Sequence, residues 1–195
     1  MIILVRPDDE SKLKICDIYN PVVKKEVISR LHDPVPVKEV MSHLQVIRNN
    51  ACEALRQATA KQLTYHPMPG KWSAIEQLRH LVFAEDLYLN RWILRNDDPW
   101  IPIGLLPDFW KNEEKFSDVG KEPTEDLDRI LSVWSNLHEG TNDFVANVTS
   151  EILKQDTSDI DCGQGTVGAI LQQLANHDYW HLNKAQLSIN ANNNA

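Results

Sequence analysis

Two histidines, His177 and His181, stand four residues apart in the string ANHDYWHLN. On a helix, positions i and i+4 share one face a single turn apart, so both imidazoles can aim at one point. The turns before them on that face carry Val167, Ile170 and Leu174, which puts the rings where an apolar stripe would otherwise continue. Burying two imidazoles without partners is costly. A shared divalent cation satisfies both, and hydrogen bonding within the core is the alternative. A metal that keeps a position open for chemistry commonly has three protein ligands. His80 is the best third candidate, because it lies in a different segment on an apolar stripe with Phe83, Ala84 and Leu87; a lone histidine on such a face is, by itself, more often a hydrogen-bonded core residue.

Other chemistries are less well served. HDYWH is close to the H-E-x-x-H zinc-protease pattern, but Asp178 is one methylene shorter than the glutamate required, and no His, Asp or Glu follows His181. No pair of Glu-x-x-His motifs is present for a carboxylate-bridged di-iron site. His32 and His66 sit in proline-rich connections, His43 falls off the apolar face of its helix and His138 is placed near a helix end, so solvent exposure is expected for all four.

These side chains need long helices to position them. Val40, Leu44, Ile47, Ala51, Leu55 and Ala58 recur at steps of three and four, predicting a first helix from Val37 to about Leu63. YHPMPGKW then breaks the chain, and Ser73 followed by Glu76 is a capping-box start for a second helix reaching about Arg95. That helix has two apolar stripes, Ile75, Leu78, Val82, Leu89 and Trp92 on one side and Phe83, Ala84, Leu87 and Leu94 on the other, so it must be covered from two directions. A long Pro-rich connection bearing Trp100, Phe109 and Trp110 comes next, and loops of that length are usually functional or disordered; its aromatics favour a packed wall over a pocket. A third helix follows Pro123 and Thr124, with Leu127, Ile130, Leu131, Trp134 and Leu137 inward and Gly140 as a weak point; a fourth opens near Thr166 and passes through His177 and His181 to Ala185. The expected fold is all-α, an antiparallel four-helix bundle over residues 37 to 190, with an N-terminal arm over residues 1 to 36 that includes a strand-like run from Ile2 to Val5, and a frayed tail over residues 191 to 195.

Composition excludes several classes. The 195 residues carry a formal net charge of −8 and no basic run, so neither nucleic acid nor an anionic membrane is an expected partner. Cys16, Cys52 and Cys162 form an odd set without CxxC spacing, which argues against a disulfide framework or a thiolate zinc site and fits a reducing compartment. MIILVRPDDE offers too few apolar residues for a signal peptide, and no stretch approaches a membrane span. A cytoplasmic location is expected.

PGKWSAIEQLRHLVFAEDLYLNRW and TVGAILQQLANHDYWHLNKA resemble the second-helix and final-helix signatures of the DinB/YfiT-like bundle superfamily, and VRPDDES is more loosely similar to an N-terminal element of some members. The resemblance extends from about Arg6 to Ala185. It implies a metal triad on His80, His177 and His181, binding zinc or nickel, and in some groups a low-molecular-weight thiol as cosubstrate. Three neutral imidazoles would leave the ion its full charge and an open position, able to bring the pKa of a bound water to about 7 or to hold a thiol as thiolate. Glu85 is a candidate for orienting the triad rings, or else a structural partner of Arg91. Lys71, Arg79 and Arg91 are available to line a thiol groove, though exposed helix charges are usually only solvated.

The expected function is therefore a metal-dependent enzyme of S-transferase or hydrolase type, activating water or a thiol against an electrophilic small molecule, with the connection between Asp97 and Glu122 shaping access. The competing expectation is a non-catalytic bundle with a structural or adventitious metal, acting through a surface as a stress-related interaction module. Structural zinc sites are usually closed by four ligands, which favours the first. A homodimer is a mild expectation, because similar bundles pair helix faces.

Overall fold

A computed structural model describes residues 32–157 and 165–192 of the protein. The arm expected over residues 1 to 36, the strand-like run within it, Cys16, Cys162 and the last three residues of the tail therefore lie largely or wholly outside the described residues. Among the described residues all regular structure is helical, with one isolated bridge between Asp156 and Thr166, and no helix is long and apolar enough to cross a membrane.

Four long helices make the frame. Helix α1 spans Pro34–Gln57 and is capped by the Asp33 carboxylate, which accepts from the Val35 amide. HDPVPV is thus a start signal, with an N-cap aspartate and a proline in the first turn. The chain then breaks earlier than the spacing predicts: Thr59 and Gln62 form a capping box that opens a separate turn, α2, at Ala60–Leu63. Helix α3 (Ala74–Glu85) starts at the predicted Ser73 and Glu76 box. It continues without a break as a π-helical segment, Asp86–Ile93. The i→i+5 bonding there changes the angular step per residue, so the second apolar stripe is lost at its end and Leu94 is half exposed. Helix α4 (Leu127–Asn147) starts from Asp126 and runs through Gly140 without interruption. The short α5 (Ser150–Leu153) leads toward α6 (Val167–Asn192), in whose first turn Thr166 accepts from the Ala169 amide.

The long helices pack in a ring in which α1 touches α6, α6 touches α3, α3 touches α4 and α4 touches α1. Two apolar clusters fill its ends. One joins Leu55, Ile75, Leu78, Ile130, Trp134, Leu182 and Ile189, and the other joins Met41, Leu44, Val145, Leu171 and Ala175. Cluster membership gives the direction of each helix. The first cluster takes the end of α1, the start of α3, the start of α4 and the end of α6, so α1 and α6 run one way and α3 and α4 the other. Neighbours α1/α4 and α3/α6 are antiparallel as expected, whereas α1/α6 and α3/α4 are parallel. This accounts for the long connection between α3 and α4, since a chain that re-enters the bundle in the same direction must first travel back along it.

That returning segment is packed rather than loose. Two 3₁₀ turns, Asp108–Trp110 and Glu114–Phe116, carry Trp110 and Phe116 onto Phe83 beside Trp100, with ring centroids 5.5 to 5.9 Å from that of Phe83. Together with Leu87, Trp92, Ile170 and Leu174 they form a third apolar cluster on the outer face of α3 and α6. Helix α3 is thus covered from two sides, and Phe109 alone of the loop aromatics projects outward, 67% exposed.

Candidate metal centre

The third cluster positions the histidines. His80 follows the face of Phe83, Ala84 and Leu87 on α3, and His177 and His181 extend the face of Ile170 and Leu174 on α6. The three rings meet there, with centroids 4.3 to 5.0 Å apart pairwise, and His80 Nε2 lies 3.2 Å from His177 Nε2. One candidate ligand atom from each residue falls within 4.8 Å of the others. Two nitrogens bound to one tetrahedral ion at about 2.0 to 2.1 Å stand about 3.3 Å apart, close to the separation seen. His80 and His181 are buried and His177 is partly open to solvent.

The outer nitrogens fix which lone pairs face inward. His80 Nδ1 is 2.9 Å from the Leu105 carbonyl oxygen, which can only accept, so Nδ1 carries the proton and Nε2 keeps its lone pair. His181 Nδ1 is 2.6 Å from Gln77 Oε1, which leaves His181 Nε2 in the same state. Burial holds all three rings neutral: it draws His80 down to about 4 and, reinforced by the neighbouring rings, draws His177 and His181 well below the ordinary range. A cation would displace no proton at neutral pH. Trp72 packs on His80 at 4.9 Å and stacks on His181 at 6.0 Å, Tyr88 lies 5.7 Å from His177, and Trp180, itself 36% exposed, sets its ring edge-on to His181.

The loop that expectation assigned to access also supplies a ring partner. Leu105 is pinned to α3 by its amide on the Arg79 carbonyl at 3.1 Å, and Arg79 in turn donates to the carbonyls of Ile103 and Gly104. Arg79 is thereby occupied in holding the loop. Arg91 lies over Trp100 at 4.3 Å and donates to the carbonyls of Asn96 and Asp98, so neither side chain is presented to a groove at the rings. Beyond Phe83 the same loop borders a cavity of about 440 Å³ lined by Trp92, Trp100, Trp110 and Phe116 together with Asp97, Asp98 and Asp118.

Glu85 does neither of the things expected of it. It orients no triad ring and is not the carboxylate beside Arg91, which lies 3.8 Å from Asp86. It is buried against Arg48 at 3.0 Å, with Thr141 Oγ1 donating at 2.7 Å and His138 Nδ1 lying 2.5 Å from its Oε2. Asp178 completes this group, accepting from Arg48 Nε at 2.9 Å. His138 is thus buried, not exposed, because α4 continues past Gly140 and keeps it on the inward face with Trp134 and Thr141. Arg48 was missed altogether, although the period Met41, Leu44, Arg48, Leu55 places it within the buried stripe of α1. A cation in that stripe was the available signal. His43 and His66 are exposed as expected, and His32 is half-buried. Cys52 is a free thiol.

Helices throughout the described residues, one histidine from the second long helix and two from the last, with their inner nitrogens gathered and the outer ones of His80 and His181 held, define a helical-bundle class with a candidate three-histidine metal centre. The family model of the DinB superfamily matches residues 43–185, and the chain belongs to that superfamily. No curated protein and no solved structure matches it.

Proposed function

We propose that the protein is a metal-dependent enzyme in which His80, His177 and His181 hold one divalent cation, zinc or nickel. The observation that carries this reading is the 3.2 Å approach of two ring nitrogens, one of which is shown by its outer bond to be an unprotonated acceptor, beside a third imidazole. The His80 lone pair must therefore meet either the His177 ring proton or a cation shared by both nitrogens. Donors that are neutral, buried and pre-oriented suit a divalent ion of intermediate softness.

The chain's own contribution is preparation. Leu105 and Gln77 hold the two buried rings, Trp72 shields them from bulk water, and His177 stands on the side that solvent reaches. Such an ion, when bound, supplies Lewis acidity to a water or a low-molecular-weight thiol at a remaining position. The substrate is then a small electrophile, and the reaction a thiol transfer or a hydrolysis carried out in the cytoplasm. Arg79 and Arg91 are occupied in holding the loop and offer nothing basic at the rings.

The test is the cobalt-loaded protein titrated with a small thiol such as cysteine or dithiothreitol. A new sulfur-to-cobalt charge-transfer absorption, absent from the metal-free chain and from His177→Ala, is expected. Ligand-field bands that no thiol or small anion perturbs would mark a closed, structural ion and favour a non-catalytic bundle instead.

A further inference from the structure

The buried charges lie in a single layer to which every long helix contributes: Arg48 from α1, Glu85 from α3, His138 and Thr141 from α4, and Asp178 from α6. This layer separates the two end clusters. Leu44 and Leu55 flank Arg48, Trp134 and Val145 flank His138 and Thr141, and Ala175 and Leu182 flank Asp178, each pair divided between the two clusters. The guanidinium joins two carboxylates from different helices, with Nη2 3.0 Å from Glu85 Oε2 and 2.5 Å from Asp178 Oδ2. All three side chains are at most 2% exposed.

Such a group contributes little net stability, because the desolvation of its ions offsets their attraction. Its geometry is nevertheless restrictive. Apolar clusters tolerate small slips by repacking, whereas a planar guanidinium fork shared between two carboxylates does not. A slip of one residue moves a helix by about 1.5 Å along its axis, far beyond the few tenths of an ångström a metal–nitrogen bond accepts. The helices the fork joins are the two that carry the histidines. Asp178 adjoins His177 in the chain, and Glu85 follows His80 on α3 by little more than a turn.

We propose that the Arg48, Glu85 and Asp178 layer, with His138 and Thr141 fixing the Glu85 carboxylate, sets the register of α3 against α6 and so positions His80 opposite His177 and His181 for cation binding. Helix α1, which supplies no ring, thereby takes part in the metal centre. This rests on the reading of the three rings as a cation site. The layer residues are positioning residues and touch neither the ion nor a substrate.

The test uses the full chain, metal-free, titrated with cobalt(II), reading affinity and ligand-field bands while thermal unfolding is followed on the same samples. Arg48→Met, Glu85→Gln and Asp178→Asn are combined so that no buried ion is left alone, and Arg48→Lys keeps the charge without the fork. Leu153→Ala, a fully buried site on α5 outside the layer, is the control for lost stability alone. The combined variant is expected to lose about tenfold or more in cobalt affinity, the scale typical of groups that orient ligands, with altered bands. Arg48→Lys should fall between it and the wild type, and Leu153→Ala should unfold at lower temperature with unchanged affinity and bands. Wild-type affinity and bands in a folded combined variant overturn the proposal, as does a loss in Leu153→Ala that matches its loss of stability. If the combined variant does not fold, Arg48→Lys decides on the same terms. Wild-type protein that binds no more cobalt than His177→Ala overturns the metal reading and this proposal with it; loss in His177→Ala beside unchanged layer variants overturns this proposal alone.

Discussion

The histidine triad and the charged layer share two helices, α3 and α6, with His177 and Asp178 adjacent in the chain, yet they treat positive charge in opposite ways. Consecutive residues on a helix project about 100° apart, so His177 turns toward the third cluster and Asp178 toward the centre of the ring. The layer carries its own cation. Arg48 is held fully charged by Asp178 and Glu85 against the cost of burial; burial also pushes Glu85 upward, but Arg48, His138 and Thr141 together bring its carboxyl below the usual range. Asp178 goes the other way, raised by burial to about 7 despite Arg48. The triad carries no cation of its own, only neutral rings, two of which, His80 and His181, turn lone pairs inward. A tethered guanidinium makes a permanent joint, and uncharged donors at a partly open position make an exchangeable one.

Breaking the two regions separately should have unlike consequences. Arg48→Met leaves two buried carboxylates without their partner, and a loss of about 3 to 5 kcal/mol is expected from urea denaturation. His177→Ala in the metal-free protein should cost less than about 1 kcal/mol, because the ring is partly exposed and its Nδ1 has no hydrogen-bond partner. Equal losses would erase the distinction. Gln77→Leu removes the acceptor that holds His181 and should weaken zinc or cobalt binding by about 10- to 100-fold in a competition titration, with the fold intact. Thr141→Val takes one donor from Glu85 and should cost about 1 to 2 kcal/mol in the same denaturation assay, leaving metal affinity much less affected than Gln77→Leu does.

Acid gives the mildest contrast. The unfolded chain protonates His80 near 6.5, while the folded chain does so only near 4, so the unfolded state gains protons first and stability falls as pH drops through that window. His177, His181 and His138 shift in the same direction. Asp178 opposes them: its folded carboxyl holds a proton up to about 7 and its unfolded one only to 3.8, so its contribution shrinks as pH rises across that range. Four imidazoles outweigh one carboxyl. The urea midpoint of the metal-free protein should therefore fall between pH 7.5 and pH 5, and fall more steeply in Asp178→Asn. A flatter profile in that variant would contradict the assignment of opposite signs.

Much of the triad was legible because its residues break an apolar period where a break is easy to see: two histidines a turn apart after Ile170 and Leu174, and one histidine ahead of Phe83. The Ser73 box was equally plain. The layer was hidden for the converse reason. Each of its members is unremarkable in its own segment, and only the packing of four helices brings Arg48, Glu85, His138 and Asp178 together. The stripe expected on α1 lies about one residue out of phase with the buried face, which left Arg48 off it, and Gly140 as a weak point put His138 near a helix end and outside the core. Direction was the other illegible feature. Spacing along a helix says which face is apolar but not which way the neighbour runs, and only the two end clusters show that α3 and α4 run together.

Metal content tests the central claim most directly. The protein should be purified without a metal-affinity tag and compared with His80→Ala and His177→Ala by elemental analysis. About one divalent ion per chain is expected in the wild type, the stoichiometry of a single three-histidine centre, and only trace amounts in either variant. Equal trace metal in all three, with zinc or nickel added back and still not retained, would contradict it.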